Sequence, residues 1–235
     1  MTSFLQVILR THHVDAAREF YASVLPERTF EIVQLHEQAV QRGASPHWLG
    51  MLEVSDVAHA LSQWVSHGAT ALGPVWRNPE GLDGATLRDP GGAVLGLAKP
   101  TADMRSAYAA RAEQAGVVGY GLHTTNVEQA KSLYTALAGW EFRAPFEFEG
   151  YGWFHPFAFK PGAPSVGTLT DIAGRSGLHP HWLFQFRTPE LAPALEAVNR
   201  LGGKVAGCFT LHDQSRLAVC DDGQGAAFAL RELTQ

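Results

Sequence analysis

Pro46-His-Trp-Leu49 recurs as Pro180-His-Trp-Leu183, and each copy opens the same local pattern. A short apolar run suited to a strand follows, Trp48–Val54 in the first copy and Trp182–Arg187 in the second. Next come residue types that start helices, Ser55-Asp56 and Thr188-Pro189. An apolar stripe at helical spacing continues through Val57, Leu61, Trp64 and Val65, or through Leu191, Leu195, Val198 and Leu201. Gly68 and Gly202 stop these helices, and the chain returns through His67–Leu72 or Leu201–Ala206. Each copy closes on a hairpin-like turn, Asp89-Pro-Gly-Gly92 or Asp221-Asp-Gly-Gln-Gly225.

A related unit precedes each copy. Phe4–Leu9 reads as a strand, and Val14, Ala17, Phe20, Tyr21, Val24 and Leu25 as a helix that Pro26 stops. Val118–His123 is its counterpart, followed by the capping-box pattern Asn126-Val-Glu-Gln129 and a helix ending at Gly139. The unit of strand, helix and about three strands occurs four times, which argues duplication rather than a solenoid. The span from Tyr21 to Pro46 is much shorter than that from Tyr134 to Pro180, so the first module is expected to lack a strand or to use tight loops. Lys99–Gly116 reads as a partly helical linker. The expected organisation is α+β: domain 1 over residues 1–99, a linker over 100–116, and domain 2 over 117–235.

Composition narrows the function classes. With 46% hydrophobic and 17% charged residues in a chain of 235, a real core is available and disorder is excluded. A formal charge of −5 gives no electrostatic reason for nucleic acid or an anionic membrane as partner. The longest apolar runs are too short for a bilayer, and the first residues lack the pattern of a signal peptide. Cys208 and Cys220 form no Cys-x-x-Cys pair. The expectation is a cytoplasmic protein, monomer or homodimer, with a small molecule as partner.

The four-fold order of motifs resembles the vicinal-oxygen-chelate superfamily of glyoxalases, bleomycin-resistance proteins and dioxygenases. The residues carrying the resemblance are Asp15–Leu25, Val54-Ser-Asp56, Leu87–Gly96 and Asn126–Trp140. Within it, the chain is similar to two-domain glyoxalase-like proteins related to the 30-kDa mycobacterial culture-filtrate antigen. The resemblance implies two tandem domains, each of two βαβββ modules curling a sheet around a groove. It also implies metal-ligand positions, which fall here on Gln6, Leu49 and Gly96, and on Gly119, Leu183 and Ala229. Only Gln6 among these could bind a metal; a two-residue slide adds His47 and His181 but no carboxylate between Ala93 and Ala98, so no cofactor is expected.

Period-two alternation then selects groove-facing residues. On the first strands these are Gln6, Ile8 and Arg10, and Gly119, Gly121 and His123. On the strands after the repeats they are Leu49, Met51 and Glu53, and Leu183, Gln185 and Arg187. In the second domain the run Phe146, Phe148, Tyr151, Trp153, His155, Phe157 and Phe159, whose alternation Phe154 breaks, is expected to form an aromatic wall opposite the two glycines, or a strand packed on its helix. The leading expectation is a metal-free protein holding an organic, partly aromatic ligand in the domain 2 groove through Gln6, Arg10, Met51, His123, Trp153, His155, Gln185 and Arg187. The alternative is a lyase, isomerase or dioxygenase of the same superfamily, with His123 or Glu53 in acid–base work or a divalent metal on atypical ligands such as Gln6 and His47.

Overall fold

The residues that start helices in the sequence do so in space, with one exception. In the computed structural model, which describes residues 2–233, the Asp56 carboxylate accepts from the backbone N–H of His59 at 2.8 Å and opens helix α3 (Val57–Ser66). Asn126 accepts from Gln129 N–H at 3.0 Å and opens α5 (Val127–Ala138), which Gly139 ends in the left-handed conformation at φ 71°. Replacing Asp56 by Ala is expected to lower stability by about 1 kcal/mol, read from the thermal midpoint. The exception is α6 (Leu191–Arg200). Its cap residue is Glu190 rather than Thr188, and its first N–H donates to the Glu232 carboxylate at 2.6 Å.

The first half runs β1 (Phe4–Thr11), α1 (Val14–Val24), β2 (Glu31–Gln34), α2 (Glu37–Gln41), β3 (His47–Glu53), α3, β4 (Thr70–Ala71), β5 (Trp76–Arg77), β6 (Asp83–Arg88) and β7 (Val94–Lys99). Helix α4 (Ala102–Ala115) follows. The second half runs β8 (Val117–Thr124), α5, β9 (Glu141–Phe142), β10 (Phe146–Phe148), β11 (Gly152–Ala158), β12 (Gly167–Asp171), β13 (His181–Arg187), α6, β14 (Lys204–Thr210), β15 (Arg216–Asp221) and β16 (Ala227–Glu232).

Two curved mixed sheets result. One has the order β2-β1-β3-β7-β6-β4, with β5 on β6; the other has the order β10-β11-β12-β8-β13-β16-β15-β14, with β9 on β11. The short first module explains the difference in strand count. Between α1 and β3 the chain places only β2, parallel to β1, where the second half places β9 to β12.

Each sheet draws on one half of the sequence, whereas each compact unit draws on both. One unit takes residues up to Gln6, Gly50–Ala109 and Tyr120–Trp182; the other takes Val7–Leu49, Ala110–Gly119 and the chain from Leu183 on. Within the first unit, fully buried Tyr134 donates to the Asp89 carboxylate at 2.9 Å, and Asp89 also accepts from Ala93 N–H at 2.9 Å to fix the Asp-Pro-Gly-Gly turn. Tyr134 stacks on Trp140, which stacks on Phe157. Within the second unit, Tyr21 donates to Asp222 at 3.3 Å and accepts from the Trp48 indole at 3.1 Å. Asp222 accepts from Ala226 N–H at 3.0 Å, and Phe186 and Phe228 pack on this group. The two closing turns read from the sequence are thus carboxylate anchors for a tyrosine of the opposite half. Burial pushes both tyrosines well above their ordinary pKa and raises both aspartates.

Candidate functional site

The site is best built from strand register in the second half. β10, β11, β12 and β8 pair so that Phe146, Phe154, Thr170 and His123 lie opposite one another in a row. Directly paired residues share a face, so the row crosses one side of the sheet. The next row, His155, Leu169 and Leu122, takes the other side. There His155 senses the charges of Lys131 and Glu128 on α5, and Phe157 stacks on Trp140.

This corrects the expected wall. Trp153 and His155 alternate with Phe154 and belong to the α5 side; Trp153 is 54% exposed. The face away from α5 instead carries Phe154, with Phe146 stacked at 5.8 Å and Phe148 edge-on at 5.9 Å, and Thr170 on the same row is 4% exposed. The signal was in the sequence: Phe146-x-Phe148 has strand periodicity, and Phe154 interrupts the Trp153/His155 series because it begins a second, opposite-facing one.

His123 sits at the end of the row, with the ring of His181 at 4.5 Å and that of His179 a further 5.1 Å from His181. Its Nδ1 is buried with no hydrogen-bond partner among the described residues. Burial, then the charges of His181, Arg175 and His179, push its pKa down to about 3, so the ring is neutral near pH 7. His181 Nδ1 lies 2.8 Å from the His179 carbonyl, which assigns the ring proton to Nδ1 and leaves the lone pair on Nε2. Arg175 donates to the Tyr151 carbonyl and lies beside Gly152. His179-x-His181 puts two imidazoles together as its spacing allows, and Arg175 is the addition that no sequence motif declares.

The remaining predicted residues fall elsewhere. Gln185 and Gly119 do share a face: a Cβ at Gly119 would stand 2.3 Å from Gln185 Oε1, which accepts from Arg231 at 3.2 Å. Arg231 also donates to Ser215 at 3.0 Å and pairs with Asp213. Arg187 is exposed. In the first half Met51 is fully buried and Gln6 is 8% exposed. Glu53 is taken by an ion pair with Arg105 of α4, whose Tyr108 is 2% exposed and reaches Glu80 at 3.5 Å. A separate cleft of about 380 Å³, lined by Leu52, Asp56, His59, Gln63, Trp64 and Leu137, holds none of the predicted residues.

The ligand positions implied by the resemblance do not fit a divalent ion. Leu183 and Ala229 form an apolar cluster with Leu217, packed by Phe209, Leu211 and Val219. At Gly96, where a last-strand carboxylate would begin, the Met51 thioether occupies the space: an added Cβ would lie 2.1 Å from Sδ. Among the described residues no group of three or more His, Cys, Asp or Glu side chains is arranged to hold a metal.

This architecture is the vicinal-oxygen-chelate fold of two-domain dioxygenases and glyoxalases. The 2,3-dioxygenase LapB from Pseudomonas sp. KL28 superposes with a TM-score of 0.61 over 98% of this chain and 91% of its own, at 12% identity. The Mn(II)-bound glyoxalase from Novosphingobium aromaticivorans gives 0.62 over 100% and 84%, at 9% identity. The 2,2',3-trihydroxybiphenyl 1,2-dioxygenase from Sphingomonas wittichii strain RW1 gives 0.61 over 98% and 90%, at 14% identity. No protein-family model and no curated protein sequence matches the chain. No helix among the described residues is long and apolar enough to cross a membrane.

Proposed function

We propose that the protein binds a small, metal-free organic ligand on the side of the second half's sheet away from α5, as a cytoplasmic binding protein of the glyoxalase/bleomycin-resistance kind. The carrying observation is the row Phe146, Phe154, Thr170 and His123, which puts an aromatic platform next to a buried imidazole nitrogen with nothing bonded to it. A planar apolar ring fits the platform, and a polar group on that ring satisfies Nδ1. The neighbours in structure are dioxygenases and a Mn(II)-bound glyoxalase, but the apolar cluster at Leu183 and Ala229 and the Met51 thioether at Gly96 favour binding over metal chemistry here. A histidine held near pKa 3 is also a poor general base at neutral pH, and Glu53 is engaged by Arg105. Residues 1–99 and 117–235 are proposed as two glyoxalase-like domains joined by a linker over 100–116.

Native mass spectrometry of the full chain, set against the denatured chain, tests this reading. The expected result is an added organic mass that Phe154→Ala and His123→Ala each weaken by at least tenfold, about 1.4 kcal/mol. Trp153→Ala should leave binding unchanged, because that ring lies on the other face. One transition-metal ion per chain would overturn the proposal.

A further inference from the structure

The first half holds a second version of the same arrangement, with one residue changed. β1 and β2 run parallel in the register Ile8–Glu31 and Arg10–Val33, so Ile8, Arg10, Glu31 and Val33 share a face. Leu9 and Thr11 take the other side, where the Thr11 hydroxyl meets Gln224 at 2.7 Å. His47 begins β3, the neighbour of β1 in the sheet. Its Nδ1 lies 2.7 Å from the Ser45 carbonyl, as His181 Nδ1 lies 2.8 Å from that of His179. Both Pro-His-Trp-Leu repeats therefore hold their histidine in one tautomer, with the Nε2 lone pair free to accept. Beside His181 stands a neutral imidazole, His123; beside His47, at the matching position of the first strand, stands Arg10.

Arg10 Nε is buried and has no hydrogen-bond partner among the described residues. A guanidinium cannot shed its charge in a protein, so a desolvated, unbonded Nε carries a cost that an oxyanion offsets well, through two parallel hydrogen bonds. Burial, and after it the charge of Arg10, disfavour a proton on His47 against the pull of the Ser45 carbonyl, while the charge of Glu31 is felt by Arg10. The face thus presents a fixed cation, a hydrogen-bond acceptor and one opposing negative charge. That combination suits a monoanion carrying a hydroxyl better than a dianion.

We infer that Arg10 and His47 form a binding site for a small hydroxycarboxylate, the carboxylate on the Arg10 guanidinium and the hydroxyl donating to His47 Nε2. The site is separate from the one proposed for the second half, and it differs from it in ligand charge. The two repeats share the histidine and differ in its neighbour, so one fold offers an anionic and a neutral specificity.

The test uses full-length protein with ¹⁵N-labelled histidine and three probes: lactate, propionate and inorganic phosphate. Lactate is expected to shift the His47 Nε2 resonance and to bind at least tenfold more tightly than propionate, which lacks the hydroxyl. Arg10→Lys keeps the charge but loses Nε and should weaken lactate at least tenfold; Arg10→Gln should abolish binding. His123→Ala, which removes the other site, should leave lactate binding unchanged. An unmoved His47 resonance at saturating probe would overturn the inference in wild-type protein, whatever the variants do to folding. Lactate binding that survives Arg10→Gln would overturn it too, as would phosphate binding as tight as lactate, which would mark an unselective anion contact.

Discussion

Between pH 7 and pH 4.5 the protein will lose roughly 2–3 kcal/mol of stability through His123 alone. The ordinary histidine pKa is 6.5, and in the folded chain His123 is held down to about 3. Below pH 6.5 the unfolded chain takes up a proton that the folded chain refuses, so stability is complete above that pH and falls as the pH drops toward 3. His181, His47 and His155 are lowered as well and act in the same direction. Asp89 and Asp222 oppose them. Their folded pKa values lie above the ordinary 3.8, so their contribution is present at low pH and fades as the pH rises through the folded values. Urea unfolding of wild type and His123→Gln at both pH values isolates the histidine. The variant should lose about 2 kcal/mol less than wild type on acidification; equal losses would mean that His123 is not held neutral.

Placing a carboxylate at Gly96, the last-strand ligand position that the sequence resemblance implies, will be costly. Gly96→Glu is expected to destabilise the chain by about 3 kcal/mol or more, combining an overpacked core with a buried charge. The added Cβ would meet Met51 Sδ at 2.1 Å and Cε at 2.6 Å, and it would press on the Ala85 carbonyl at 3.4 Å. Met51 is fully buried, so its thioether has little room to withdraw. Met51→Ala is destabilising alone, yet in combination with Gly96→Glu it should return part of the loss by vacating that space. A double-mutant cycle on thermal unfolding should give a coupling above 1 kcal/mol; strict additivity would show that Met51 does not set the constraint at Gly96.

The architecture was legible because its determinants are local. Asp56, Asn126, Gly139 and the two Asp-containing turns declare themselves by residue type, and four strand–helix steps in a row leave few topologies. That Gly119 and Gln185 share a face was legible from alternation. Which phase of the Trp153–Phe157 stretch faces α5 is decided by pairing with β10 and β12, strands whose register no local residue type declares. Partners distant in sequence were out of reach: nothing near Gly96 announces Met51, and nothing in Lys99–Gly116 announces that Arg105 would meet Glu53. The anchoring of Tyr21 by Asp222 and of Tyr134 by Asp89 was hidden for the same reason.

Those two tyrosine–aspartate anchors change what the duplication means for the life of the protein. Duplicated segments are often imagined as tenants able to leave separately. Here Tyr21 and Trp48 complete their core with Phe186 and Phe228, and Tyr134 seals against a turn encoded before the linker helix. Expressing either half by itself would strip buried aromatics on both sides of the cut. A cleavage within α4 would leave two fragments still clasped together. Each compact unit takes segments from both halves, so deleting either repeat would remove part of both cores at once.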